Sequence, residues 1–212
     1  MAGAGALIGK TASEVEATPD DRARLTDAVT KAATERGYAA IDASTIARRA
    51  GVSVEVFHRH FASEDQCLVA ALDRYVDHMQ EEIEDACEGV PDWDQRVRCA
   101  VEAALAYVSE LDHVSRLFAV DAARIGPAAM ERVWSWVDWA SLRLKQGRAV
   151  HPTAAALPES TERTLIGGLV LMVSSRLLTE ELDSLPGLAE EAIEMVLAPY
   201  VGLERARLVA AG

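Results

Sequence analysis

The chain has 212 residues, enough for one large or two small domains with a real core. Half of its residues are hydrophobic, which excludes disorder of the whole chain. A formal charge of −13 argues against nucleic-acid binding by the surface as a whole, though not by one suited face.

Residues 1–17 are small and polar, without sustained periodicity, and read as a flexible arm. Met1–Lys10 lacks the charged and apolar regions of a signal peptide, so the chain is expected in the cytoplasm. Thr18-Pro19-Asp20-Asp21 starts a helix: a capping threonine, proline in the first turn, then acids. Leu25, Val29, Ala32 and Ala33 face inward along it to about Arg36, and Gly37 ends it. Asp42 caps the next helix, in which Ala43, Ile46, Ala47 and Ala50 share one face. Gly51 follows where the chain must turn sharply. Val52 plugs the corner, Ser53 caps a second short helix, and Phe57 and Phe61 give that helix its buried stripe. Ala47, four residues before Gly51, is small enough for two helices to cross closely. This is the pattern of a helix-turn-helix, whose second helix enters the DNA major groove; the alternative is an ordinary helical hairpin. Residues 19–68 carry seven Lys/Arg against eight acids, so the negative charge lies almost entirely elsewhere.

Ser63, with Gln66 completing a capping box, opens a long helix to about Glu88 on Leu68, Leu72, Tyr75, Val76, Met79 and Ile83. Gly89-Val90-Pro91-Asp92 breaks it. Val97, Val101, Ala104, Leu105 and Val108 mark a helix to about Leu111; His113–Arg124 and Ala128–Gln146 follow. Gly147–Glu159, with Pro152 and Pro158, reads as a loop. Helices are expected over Ser160–Leu182 and Leu188–Tyr200, with a short one from Leu203. No strand and no repeat is evident, and the longest apolar run, Leu165–Val173, is too short to span a membrane. Cys67, Cys87 and Cys99 are widely spaced and form no metal or disulfide motif, so free buried thiols and no metal or cofactor are expected.

Two late stripes have the character of association surfaces: Ile166, Leu169, Val170, Val173 and Leu177, then Leu188, Ala192, Ile193, Val196, Leu197 and Tyr200. Paired with a symmetry mate they would make a four-helix dimer interface; the other reading is core. A two-fold dimer would present two reading helices about 34–36 Å apart, near one DNA turn. Nucleophile–base motifs, metal-ligand spacings and phosphate loops are absent from the sequence, so an enzyme is not expected.

Gly37-Tyr38, Ile46-Ala47, Ala50-Gly51-Val52-Ser53, His60-Phe61 and Ser63 with Leu68 together resemble the tetracycline-repressor (TetR) family of transcriptional regulators. Leu197-Ala198-Pro199-Tyr200-Val201-Gly202 resembles the end of that family's last dimer helix. The resemblance implies an all-α chain: the arm at 1–17, a three-helix DNA-binding unit at 18–68, and a ligand-binding and dimerisation domain at 69–212. It implies a homodimer on a palindromic operator, as a repressor, released by a small molecule. Implied DNA contacts are Asp42, Arg48, Ser53, Val54, Glu55, Val56, His58, Arg59 and His60, with Arg59 suited to guanine, Glu55 to cytosine and Val54 to a thymine methyl. Asp42, Val56, His58 and Glu64 depart from the family's usual Thr, Thr, Tyr and Lys. Asp42 and Glu64 are therefore expected to set negative charge near phosphate, and Glu64→Lys to raise operator affinity. The rival reading is a ligand- or partner-binding protein of this fold with weak or lost DNA binding.

The family's pocket lies among the middle helices. Over 128–146, Val133, Val137, Ala140 and Leu144 form a core stripe, beside a second stripe of Arg132, Trp136, Trp139 and Arg143. Trp136, Trp139 and Arg143, with His113, Phe118, Asp121 and Arg176, are the candidate ligand contacts. Their alternative reading is packing with snorkelling arginines.

Overall fold

The computed structural model describes residues 18–37, 41–179 and 186–212. Regular structure among them is wholly helical: α1 Pro19–Arg36, α2 Ala43–Ala50, α3 Val54–His60, α4 Glu64–Cys87, α5 Trp93–Glu110, α6 Asp112–Ile125, α7 Pro127–Leu144, α8 Gly147–Val150, α9 Thr161–Thr179, α10 Ala189–Val201 and α11 Leu203–Ala210. No helix among the described residues is long and apolar enough to cross a membrane.

Local chemistry sets the element ends. Thr18 and Asp21 form a reciprocal capping box at α1, the Thr18 hydroxyl accepting from the Asp21 N–H and the Asp21 carboxylate accepting from the Thr18 N–H. α2 stops at Gly51, whose φ of 71° is left-handed, and the Val52 N–H reaches back to the Ala47 carbonyl at 3.0 Å. Ser63 caps α4 at the Gln66 N–H, and Gln66 reaches back one residue further than a capping box requires, to the Ala62 N–H.

α1, α2, α3 and the start of α4 enclose a head with Leu25, Val29, Ile46, Phe57, Phe61 and Leu68 at its centre. This core does not end at Leu68. It continues along α4 to Val76 and takes in Leu117, Phe118 and Ala122 of α6. A second core, from Met79 and Ile83 through Val101, Leu177 and Ile193 to Tyr200, fills the C-terminal bundle.

The stretch 147–159 departs from the expected loop. It holds α8 and a 3₁₀ turn, Pro152–Ala156. Arg148 organises it by donating to the carbonyls of Leu157 and Pro158, each at 2.7 Å, and to the buried Glu162 carboxylate at 2.6 and 2.9 Å. Tyr200 donates to the same carboxylate at 2.8 Å. Burial pushes the Glu162 carboxyl up, but its Arg148 and Tyr200 hydrogen bonds outweigh that and hold it below its ordinary value. The expected helix over Ser160–Leu182 is observed as Thr161–Thr179, and its last residues lie outside the described ones.

Candidate functional site

The head presents one face of α3. Ser53 accepts the Val56 N–H at 3.3 Å and so begins the helix. Phe57 and Phe61 turn inward, with the Arg22 guanidinium 4.6 Å above the Phe61 ring. Val54, Glu55, His58 and Arg59 remain exposed on the opposite side. Ser53 hydrogen-bonds the Glu55 carboxylate, the main reason that group sits below its ordinary range, so Glu55 is a stable anion at the start of the reading helix. Val56 is a correction: it is 2% exposed, because its position on α3 faces the head core, and it cannot reach DNA. His60 is half-buried with its Nε2 enclosed and unpartnered, so only part of that side chain is presented outward.

The two acidic departures have a common local purpose. Asp42 Oδ1 accepts the Thr45 N–H and the Ser44 hydroxyl, each at 2.7 Å, and those bonds hold its carboxyl low. Glu64 Oε1 accepts the Ala43 N–H at 2.8 Å. Both carboxylates are thus spent on the free N–H groups at the start of α2, where the helix dipole favours negative charge. They act as caps as well as charges, and Glu64→Lys would remove a cap along with a charge. Arg48 is exposed beside them and bonds Thr45 Oγ1 at 3.4 Å. Arg24 ties α1 to the end of α2 through the Ala50 carbonyl, and Arg49 pairs with Glu35 of α1.

Below the head lies a cavity of about 210 Å³ between α4, α5, α6, α7, α9 and α10. Its wall is almost wholly aliphatic and aromatic. Phe118, Trp136, Trp139 and Arg143, four of the seven expected ligand contacts, line it. Asp121 does not; it pairs with Arg124 at 3.3 Å on α6. Arg176 is half-buried on α9 and is likewise outside the wall. The His113 side chain lies outside the described residues. The Trp/Arg stripe of α7 divides its labour. Arg132 binds Asp73 and Asp77 of α4 at 2.7 and 2.6 Å, and Arg143 pairs with Glu84 of α4 while stacking 3.8 Å above the Trp139 ring. The tryptophans between them face the void.

Sequence reasoning missed the polar chain in this wall. Tyr75 donates to Ser115 Oγ at 2.7 Å, and Ser115 donates to the Val108 carbonyl at 3.0 Å. Burial pushes the Tyr75 phenol up, so it stays a neutral donor. Trp136 Nε1 is buried without a hydrogen-bond partner. Nothing in the spacing of Met79, Ile83, Val97 or Ala100 separates a cavity wall from an ordinary core, since both need apolar residues at helical period.

Burial divides the expected dimer stripes. Ile166, Leu177, Ile193, Val196, Leu197 and Tyr200 are buried inside the protomer, where they close the second core. Leu169, Val170 and Val173 line the cavity. A side chain with no exposed surface has none left to bury against a partner. The outer face of α9 instead carries Leu171, 71% exposed, and Leu178, 55% exposed, seven residues apart on one side of the helix.

A left-handed glycine turn joins two short helices, and a long helix runs from that head into a hollow bundle: this is a helix-turn-helix head on an all-helical body. Residues 25–71 match the family model of bacterial regulatory proteins, tetR family. The transcriptional activator FasR of Mycolicibacterium smegmatis is 37% identical over 87 residues, which span 41% of this chain and 40% of FasR. In fold, the chain is similar to the fatty acid degradation regulator FadR from Bacillus halodurans, with a TM-score of 0.75 at 16% identity over 89% of this chain and 98% of that one. It is also similar to FadR from Bacillus subtilis in complex with stearoyl-CoA, with a TM-score of 0.70 at 14% identity over 85% and 98%.

Proposed function

We propose that the chain is a ligand-responsive repressor that binds a palindromic operator as a two-fold dimer and is released by a small molecule in the C-terminal cavity. It works in the cytoplasm, where its DNA is. The observation that carries this reading is shared structure: Leu72, Val76 and Phe118 belong to the head core and also line the cavity. A molecule that fills the void presses on side chains the head depends on. It shifts the population away from the DNA-competent arrangement if it binds the other arrangement more tightly. Ser53, Val54, Glu55, His58, Arg59 and Arg48 form the DNA face. The outer face of α9, with Leu171 and Leu178, forms the dimer surface together with α10. The sign of regulation follows from where the operator lies relative to the promoter.

The effector is an elongated aliphatic molecule with an anionic head. Wall residues on α4 run from Leu72 to Ile83, about 16 Å at 1.5 Å per residue, and offer an aliphatic chain few polar atoms to leave unpaired. Arg143 stands in the wall with Glu84 as its counter-ion, and the FadR fold neighbour holds stearoyl-CoA. The test is fluorescence anisotropy on DNA from upstream of the gene, titrated with stearoyl-CoA. The reading predicts salt-dependent binding that stearoyl-CoA reverses. Absence of binding at low salt to any upstream palindrome would overturn it in favour of a protein of this fold that has lost DNA binding.

A further inference from the structure

We infer that Cys87 and Cys99 are an oxidisable dithiol, able to close a disulfide between the end of α4 and the second turn of α5. Cys87 is the last residue of α4, and its Sγ lies 3.5 Å from the Arg96 carbonyl oxygen. Cys99 follows Arg96 by three residues, so the two share a face of α5. A helical carbonyl points toward the C-terminus, and a helical side chain leans back toward the N-terminus over the preceding turn. The Cys99 side chain therefore covers the patch of α5 on which the Cys87 sulfur rests. The two thiols sense one another: after burial, Cys99 is the next largest cause raising the Cys87 thiol. Cys67 offers a contrast inside the same chain. It is sealed in the head core, where burial pushes its thiol up to about 12.

The oxidant is a hydroperoxide. The Cys99 sulfur attacks its outer oxygen, the O–O bond breaks, and the thiol proton leaves with the alcohol or water, giving a sulfenic acid. The Cys87 sulfur then attacks the Cys99 sulfur. The S–O bond breaks, water leaves carrying the Cys87 proton, and the S–S bond forms. Two thiols give up two electrons and the peroxide takes them. Ile83, one turn before Cys87, and Ala100, next to Cys99, both line the cavity. The bond thus pins α4 to α5 at that end of the wall.

The test uses the full-length protein, treated with hydrogen peroxide, alkylated without reduction and digested. The expected result is an intramolecular peptide pair joining Cys87 to Cys99, lost on treatment with dithiothreitol. It persists in Cys67→Ser and is absent in Cys87→Ser and Cys99→Ser. Recovery of Cys87 and Cys99 as separate alkylated or over-oxidised peptides in the wild type would overturn the inference. So would cross-links found only between chains. Neither outcome touches the DNA-binding reading, which is measured on reduced protein.

Discussion

Ala104 of α5 lines the cavity, and replacing it with leucine puts three further carbons into that space. At about 0.8 kcal/mol per buried methylene, the gain reaches about 2.4 kcal/mol if the void of about 210 Å³ accepts them without strain. For a chain of this size, about 1 kcal/mol moves the unfolding midpoint by about 2–4 °C, so Ala104→Leu should melt about 5–10 °C higher than the wild type. The same side chain competes with the effector, so stearoyl-CoA should bind the variant more weakly and raise its midpoint less. Thermal unfolding followed by far-UV circular dichroism, with and without stearoyl-CoA, measures both effects. In a wall already filled, the extra carbons would overpack and cost about 1–3 kcal/mol. A midpoint several degrees below wild type would therefore refute the cavity and the ligand class argued from it.

Five other substitutions probe the packing, the caps and the buried ion pair. Leu197→Ala should cost about 2–5 kcal/mol at any protein concentration, as a core truncation does, whereas Leu171→Glu should leave the fold intact and split the dimer in analytical ultracentrifugation. Glu64→Gln keeps an acceptor for the Ala43 N–H while losing the charge, and should raise operator affinity with little change in stability; Glu64→Lys should lose about 0.5–2 kcal/mol of capping, visible in chemical denaturation. Arg148→Ala strands the Glu162 carboxylate, which is 2% exposed, and should cost about 3–5 kcal/mol at neutral pH. Because the folded-state value of Glu162 lies below its ordinary 4.5, the wild type holds this advantage above that pH and loses it as pH falls through the lower folded value. The gap between wild type and Arg148→Ala should therefore narrow in acid; a gap that widens there would contradict the assignment.

Short-range chemistry was legible before any coordinates. Thr18, Asp42, Ser53 and Ser63 cap the helices they precede, and Gly51 takes the left-handed turn its position demands, because a cap or a turn is decided within a few residues of chain. Helical periodicity likewise predicts α1, α4, α5 and α10 to within a few residues. The motif around Gly51 was enough to indicate the family whose model matches residues 25–71. What the sequence did not determine is which side of each apolar stripe meets core, void or partner. Val170 and Leu177 line a cavity and Leu171 faces outward, although all three are aliphatic residues of one helix. Only the packing of α9 against its neighbours sorts them, since burial depends on what stands opposite a side chain and not on the side chain alone. The same holds for charge. Glu64 looks like a repulsive anion in one dimension and proves to be the acceptor for an N–H 21 residues earlier, a pairing that exists only once α2 and α4 have been folded together.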